Sequence, residues 1–342
     1  MRGFLAFRQP LREVDARSMR SDRPSPLWLS EADVAALIDL REAIDVLERA
    51  LHAEARGAAQ NMVKTHVAWD GSTLHAIGAT FPHAGFAGTK TWAHTQGGAA
   101  PLLILFDSHD GSVKAILEAF RLGQLRTGGI SGVATRWLAR PTADELALIG
   151  SGKQALMQAA AVAAVRPLRR VRVFSPTPAH RTECVARLRA EFDFAVDAAD
   201  SVGEAVRDAP IITLVTRAKT AFLTPDMVAR GGHINAVGAI TPERAEFIPD
   251  LLARCSRVVA DSVPAVRTLS RELMQYYGTG PRDWSDVVSL STLVAQQQTR
   301  RVDADLTLFK AMGMGISDLA LGIETYERAV RRNVGRRIGS ES

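Results

Sequence analysis

A chain of 342 residues with 46% hydrophobic content is too long for one ordinary domain and apolar enough to bury two cores. No apolar run approaches the roughly 18 residues that a membrane helix needs, so a membrane partner is not expected. Two cysteines, Cys184 and Cys255, are too few for a disulfide framework and point to a reducing cytoplasm. The net charge of +5 does not argue for nucleic acid. The first 25 residues hold six arginines against three acids and so supply +3 of it, and the other basic residues are scattered without interleaved aromatics. Residues 1–25 read as a disordered leader, without the apolar segment of a secretory signal.

Residues 26–56 carry helix starts at Ser30 and Asp39, with Ile44, Leu47 and Leu51 spaced for one face. From Val63 to about Val113 the pattern changes to short alternating strands broken by Gly and His, which predicts an antiparallel sheet. Ala119 to Leu138 reads as a long helix containing Arg126-Thr127-Gly128-Gly129. Pro141 marks a boundary, after which strands are expected at 146–149, 171–175, 211–216, 234–238 and 257–260. Helices are expected near 153–165, 179–191, 201–208 and 245–254. The chain turns helical again after Asp261, and an amphipathic segment from Gly315 to Arg331 is expected to return to the first unit. The expected fold class is α/β: a Rossmann-type doubly wound parallel sheet (residues 141–304) inserted in an α+β substrate-binding and dimerisation domain (26–140 plus 305–335).

The loop Gly150-Ser151-Gly152-Lys153-Gln154-Ala155 follows a strand and opens a helix. Gly150 permits the tight turn, Gly152 lets backbone N–H groups approach a pyrophosphate, and Ala155 allows close helix–strand packing. Free N–H groups and the positive dipole end at the helix start suit the same phosphates. This pattern predicts a dinucleotide site. His66, His75, His83 and His94 cluster in sequence without metal-ligand spacing, so no metal is expected. Asp261 ends a strand on the ligand side of the sheet, as a site acid or a helix cap. Glu246 reads first as a helix-start charge.

Six segments together resemble the ornithine cyclodeaminase/μ-crystallin family: Gly88-Thr89-Lys90, Leu125-Arg126-Thr127-Gly128, Ile149 to Gln154, His233 to Gly238, Val259-Ala-Asp261, and Thr307 to Lys310 with Met312-Gly313. They follow the family's order over residues 26–332. The resemblance implies a homodimer, an active site between the domains, and an NAD(P)-dependent oxidoreductase interconverting an imino or keto acid with an amino acid. Ornithine cyclodeaminase and a μ-crystallin-like NADP-loaded binding protein are the alternatives. Lys90 and Arg126 match the family's pair for the substrate carboxylate, which a guanidinium grips with two parallel bonds; a lysine beside an arginine can also pass a proton. A third basic residue of the family falls on Lys64. Thr127, Gly150, Ser151, Gly152, Lys153, Gln154, Val237, Gly238 and Lys310 are expected to bind the cofactor. Cyclodeaminases carry an aspartate where this chain has Ile240, which favours simple oxidation or reduction at the α-carbon. The second strand of the inserted unit ends without an acid; Ser175, Thr177 and Arg181 are candidates for a 2′-phosphate, a slight tilt to NADP weakened by Pro176, where NADP-binding relatives have arginine.

Overall fold

In the computed structural model, residues 25–280 and 282–339 are described; the leader expected over 1–25 lies outside them but for Ser25. Two helix starts open the chain. Ser30 and Asp39 each form a capping box, with Asp33 and Glu42 respectively, at the head of α1 (Glu31–Leu37) and α2 (Leu40–Ala55). The apolar face of α2, including Ile44, Leu47 and Leu51, is buried.

The first sheet contains β1 (Leu27–Leu29), β2 (Gln60–Asn61), β3 (Thr65–Trp69), β4 (Ser72–Phe81), β5 (Phe86–His94), β6 (Leu102–Asp107), β7 (Val113–Glu118) and β16 (Arg336–Arg337). Its order is β16-β1-β7-β6-β5-β4-β2, with β3 also on β4. The antiparallel pairing expected from Val63 to about Val113 is present from β3 through β7; β1, outside that stretch, adds parallel to β7 and makes the whole sheet mixed. The long helix α3 (Phe120–Leu138) follows.

The second sheet is parallel throughout: β8 (Glu145–Ile149), β9 (Arg170–Phe174), β10 (Ala195–Ala198), β11 (Ile211–Leu214), β12 (His233–Ala236), β13 (Cys255–Ala260), β14 (Val287–Ser289) and β15 (Leu306–Lys310), in the order β10-β9-β8-β11-β12-β15-β13-β14. The strand order reverses between β8 and β11, the crevice where such sheets bind ligands. Helices α4 (Ala155–Val165), α5 (Pro178–Glu191), α6 (Val202–Val206), α7 (Val263–Leu269), α8 (Arg271–Thr279) and α9 (Leu290–Ala295) connect or follow the strands, and α10 (Gly315–Arg332) packs back on the first sheet and α2.

Three expectations are corrected. Residues 245–254 form no α-helix; Pro249 starts only a short 3-10 turn, Pro249–Arg254. Strands β10 and β14 join the parallel sheet without having been expected. Leu306–Lys310, assigned to the first unit, is a central strand of the second sheet between β12 and β13, and all five residues are buried as that position demands. The chain crosses back after Lys310.

Helix α3 joins the two halves. A side chain at Gly128 would lie 2.6 Å from Met157 of α4, and one at Gly129 would lie 2.6 Å from Leu47 of α2. Small residues let both helices approach. Behind α3 a buried polar chain fixes the register: Asn235 Nδ2 donates to Thr135 Oγ1 at 2.9 Å, and the His233 ring bridges Asn235 and Thr307.

Candidate active site

Lys90 sits in β5 opposite Ile77 of β4 and Leu103 of β6, so its own strand neighbours offer no charge. The side chain is 5% exposed. Its Nζ lies 2.5 Å from Asp318 Oδ1 and 5.3 Å from the Trp92 ring. Arg126, on α3, brings Nε to 3.5 Å from the same Asp318 oxygen. Burial pulls the Lys90 ammonium down to about 8; Asp318 opposes the fall, while Arg126 and Lys64 add to it. Lys64 is likewise held low, first by burial and then by Arg126. The structure thus brings Lys64, Lys90 and Arg126 together around one carboxylate.

That carboxylate went unread in the sequence. Asp318 lies in the first turn of α10, where an acid normally signals only a favourable helix dipole. Its burial to 1% exposure comes from the return of α10 onto the sheet.

Two of these groups, Lys90 and Arg126, line a cavity of about 250 Å³ walled by Trp92, Pro101 and Phe120; Lys64 and Asp318 stand beside them without lining it. It shares Arg126, Thr127, Lys153 and Gln154 with a larger cleft of about 880 Å³. The glycine loop after β8 lines the larger cleft. Gly150 adopts φ +119°, and a side chain there would strike the Val215 carbonyl at 2.6 Å. Gly152 faces open space, with nothing within 4 Å of where a Cβ would stand. Gln154 precedes α4 without a side-chain cap, and its buried Oε1 has no partner among the described residues. Bare N–H groups, an open glycine and an orphaned amide fit a pyrophosphate. Ser151, Lys153, Ser175, Val237, Gly238 and Ile240 complete the lining that matters here.

Three expected cofactor residues do not reach the cleft. Lys310 is fully buried, donating to the Ala239 carbonyl at 2.5 Å, with Glu272 at 3.9 Å; it supports the loop after β12 from behind. Thr177 is exposed at the head of α5 and absent from the lining. Arg181 turns to Asp200 at 3.0 Å and to the Ser175 carbonyl.

Two acids shape the cleft without facing it. Glu246 is buried and accepts from Thr216 N and Oγ1 and from Gly238 N and Ala239 N, between 2.6 and 3.0 Å. It ties the loops after β11 and β12 to each other; burial nevertheless raises its carboxyl. Asp261 accepts from Met312 N and Gly313 N at 2.8 Å each, while Ser262 caps α7. Asp261 therefore fixes the turn beneath Arg126. Gly313, at φ +88°, is required there: a Cβ would come within 3.0 Å of Arg126 Nη1. His66, His75 and Trp92 stack on the first sheet, and among the described residues no group of three potential metal ligands occurs.

The model of the ornithine cyclodeaminase/mu-crystallin family matches residues 25–333. A Delta(1)-pyrroline-2-carboxylate reductase of Bacillus cereus is 32% identical over 239 residues, 69% of this chain and 73% of that protein. The Thermococcus litoralis Delta(1)-pyrroline-2-carboxylate reductase, solved with NADH and L-proline, superposes with a TM-score of 0.85 at 25% identity, covering 91% of this chain and 100% of that one. An archaeal alanine dehydrogenase dimer with bound NAD gives 0.85 at 26% identity, covering 93% and 100%.

Proposed function

The chain belongs to the ornithine cyclodeaminase/mu-crystallin family, and from that premise we propose that it is an NAD(P)-dependent oxidoreductase reducing an imino acid, or a keto acid with an amine, to an amino acid at the α-carbon. One observation carries this: the cavity bearing Lys90 and Arg126 opens into the nucleotide cleft through shared residues. Arg126 and Lys90 grip the substrate carboxylate, and the turn held by Asp261 keeps the guanidinium in place. A bound reduced nicotinamide supplies the hydride that the α-carbon accepts. Lys90 gives a proton to the imine nitrogen and recovers one from water. Below about 8 its ammonium form prevails, so reduction holds at neutral pH and falls as pH rises through that value.

Among the described residues neither cavity is lined by a carboxylate. The second ammonium of ornithine therefore finds no partner, and Ile240 stands where it would be read. This favours reduction over cyclodeamination. A cyclic imino acid such as pyrroline-2-carboxylate suits the Trp92, Pro101 and Phe120 walls. NADH and NADPH consumption with that compound tests the proposal; no turnover with either at high enzyme contradicts it. Ammonia release from ornithine without net NADH formation would favour a cyclodeaminase, and tight NADPH binding without turnover a binding protein.

A slight NADP preference now rests on the acid-free end of β9 and Ser175, with Arg217 and Arg244 on the cleft wall in place of Arg181. Comparing NADH and NADPH dissociation constants tests it. A homodimer is supported by Val63, Val67, Trp69 and Leu74, large apolar side chains exposed on and beside β3 and β4. Two buried free cysteines suit the cytoplasm, and among the described residues no helix is long and apolar enough to cross a membrane.

A further inference from the structure

Asp318 has two carboxylate oxygens and uses them unequally. Oδ1 meets Lys90 at 2.5 Å and Arg126 at 3.5 Å. Among the described residues Oδ2, which is buried, has no hydrogen-bond partner, and neither has the buried Arg126 Nε. An unpaired buried carboxylate oxygen is costly. It is tolerable here because three cations surround the group: Lys90 from β5, Arg126 from α3 and Lys64 from the link between β2 and β3. The other titratable groups near them are His75, which feels the charges of Lys64, His66 and His94, and Asp261, which feels that of Arg126. The facing strand positions, Ile77 and Leu103, are apolar. Among the described residues only Asp318 therefore touches Lys90 with negative charge.

We propose that Asp318 is the positioning residue of this site: it keeps the Lys90 amine protonated and aimed into the substrate cavity as proton donor to the imine nitrogen. The proposal rests on the reductase activity proposed above. The step balances without a further reactant. The Lys90 N–H bond breaks and an N–H bond forms on the substrate; the hydride completes the C–H bond at the α-carbon; water then returns a proton to the neutral lysine. The single ion pair of Asp318 to Arg126 Nε leaves the terminal guanidinium nitrogens to the substrate carboxylate, so one acid aligns both cations without competing for the outer face of the arginine.

Without Asp318, burial and two neighbouring cations act on Lys90 unopposed, and its proton is lost at lower pH. The test is the pH profile of kcat/KM for pyrroline-2-carboxylate with NADH or NADPH, in the wild type, Asp318→Asn and Asp318→Ser. The wild-type limb should fall near pH 8. In either variant that limb should move about one to three pH units lower, while cofactor affinity stays within a few-fold. A uniformly slower enzyme with an unmoved limb gives Asp318 a purely structural role and overturns the proposal.

A second measurement does not depend on turnover. Lys90 is dimethylated with [13C]formaldehyde and cyanoborohydride, assigned with Lys90→Arg, and titrated by NMR. The midpoint should lie far below that of an ordinary lysine in the wild type and lower still without Asp318. A wild-type midpoint near 10.5 overturns the proposal even if neither variant folds. If the midpoint moves as expected but no imino acid is reduced, the Lys90–Asp318 pairing stands and the proposed activity fails.

Discussion

The nucleotide cleft and the substrate cavity meet at Arg126 and Thr127 but are built by opposite means. The cleft is mostly backbone: a turn that only glycine adopts comfortably, an open glycine, and a helix start with free N–H groups, all within residues 150–155. The cavity takes its chemistry from side-chain charge: Lys90 and Arg126 line it, and Lys64 and Asp318 stand beside them. Lys64, Lys90, Arg126 and Asp318 come from four parts of the chain, and the Lys90–Asp318 contact spans 228 residues. Backbone sites are set by local conformation and hold any ligand with the right anion. Charge clusters are set by tertiary packing and choose the chemistry.

The contrast predicts separable failures. Arg126→Ala should lower kcat/KM for an imino acid by about two to three orders of magnitude, the usual cost of removing one partner of a buried charged contact. The dissociation constant for NADH or NADPH, read by fluorescence titration, should change only a few-fold. Equal losses in both would mean that the two regions act as one. Gly152→Val should do the reverse, weakening cofactor binding about tenfold or more because its side chain fills the phosphate approach, with the melting temperature unchanged. Gly150→Ala, one turn earlier, should destabilise the protein itself by about 1–3 kcal/mol in chemical denaturation, since its φ of +119° and the Val215 carbonyl at 2.6 Å leave no room. A smaller effect is expected for Gly313→Ala. The new methyl group meets Arg126 Nη1 at 3.0 Å, and KM for the imino acid should rise about tenfold or less from the misplaced guanidinium, with cofactor affinity nearly intact.

The same contrast governs what the sequence made readable. The glycine loop announced itself because its function is its local backbone geometry, and the strand-to-helix context could be seen on either side of it. Lys90 and Arg126 were found only through a resemblance extending over six segments; alone, each is an ordinary basic residue on a strand or helix. Lys310 shows the limit of that route. It lies within a matching segment, yet it is on a central strand and its ammonium is buried against Ala239 and Glu272. Arg181 fails for a related reason: Asp200, closer to hand, takes its guanidinium. Asp318 could not be read at all, since the charge of a residue is visible in sequence and its burial among three cations is not. Glu246 reads in sequence as a helix-start charge and Asp261 as a site acid or a helix cap, but their carboxylates bind loop N–H groups that only the folded crossovers deliver.

A crystal structure of the protein with NADH or NADPH and L-proline would test the central claim most directly. The account predicts the proline carboxylate on the terminal nitrogens of Arg126, Lys90 Nζ within hydrogen-bond reach of the proline nitrogen and still paired with Asp318, and the nicotinamide face turned to the α-carbon. A carboxylate bound away from Arg126, or a nicotinamide facing away from this cavity, would contradict it.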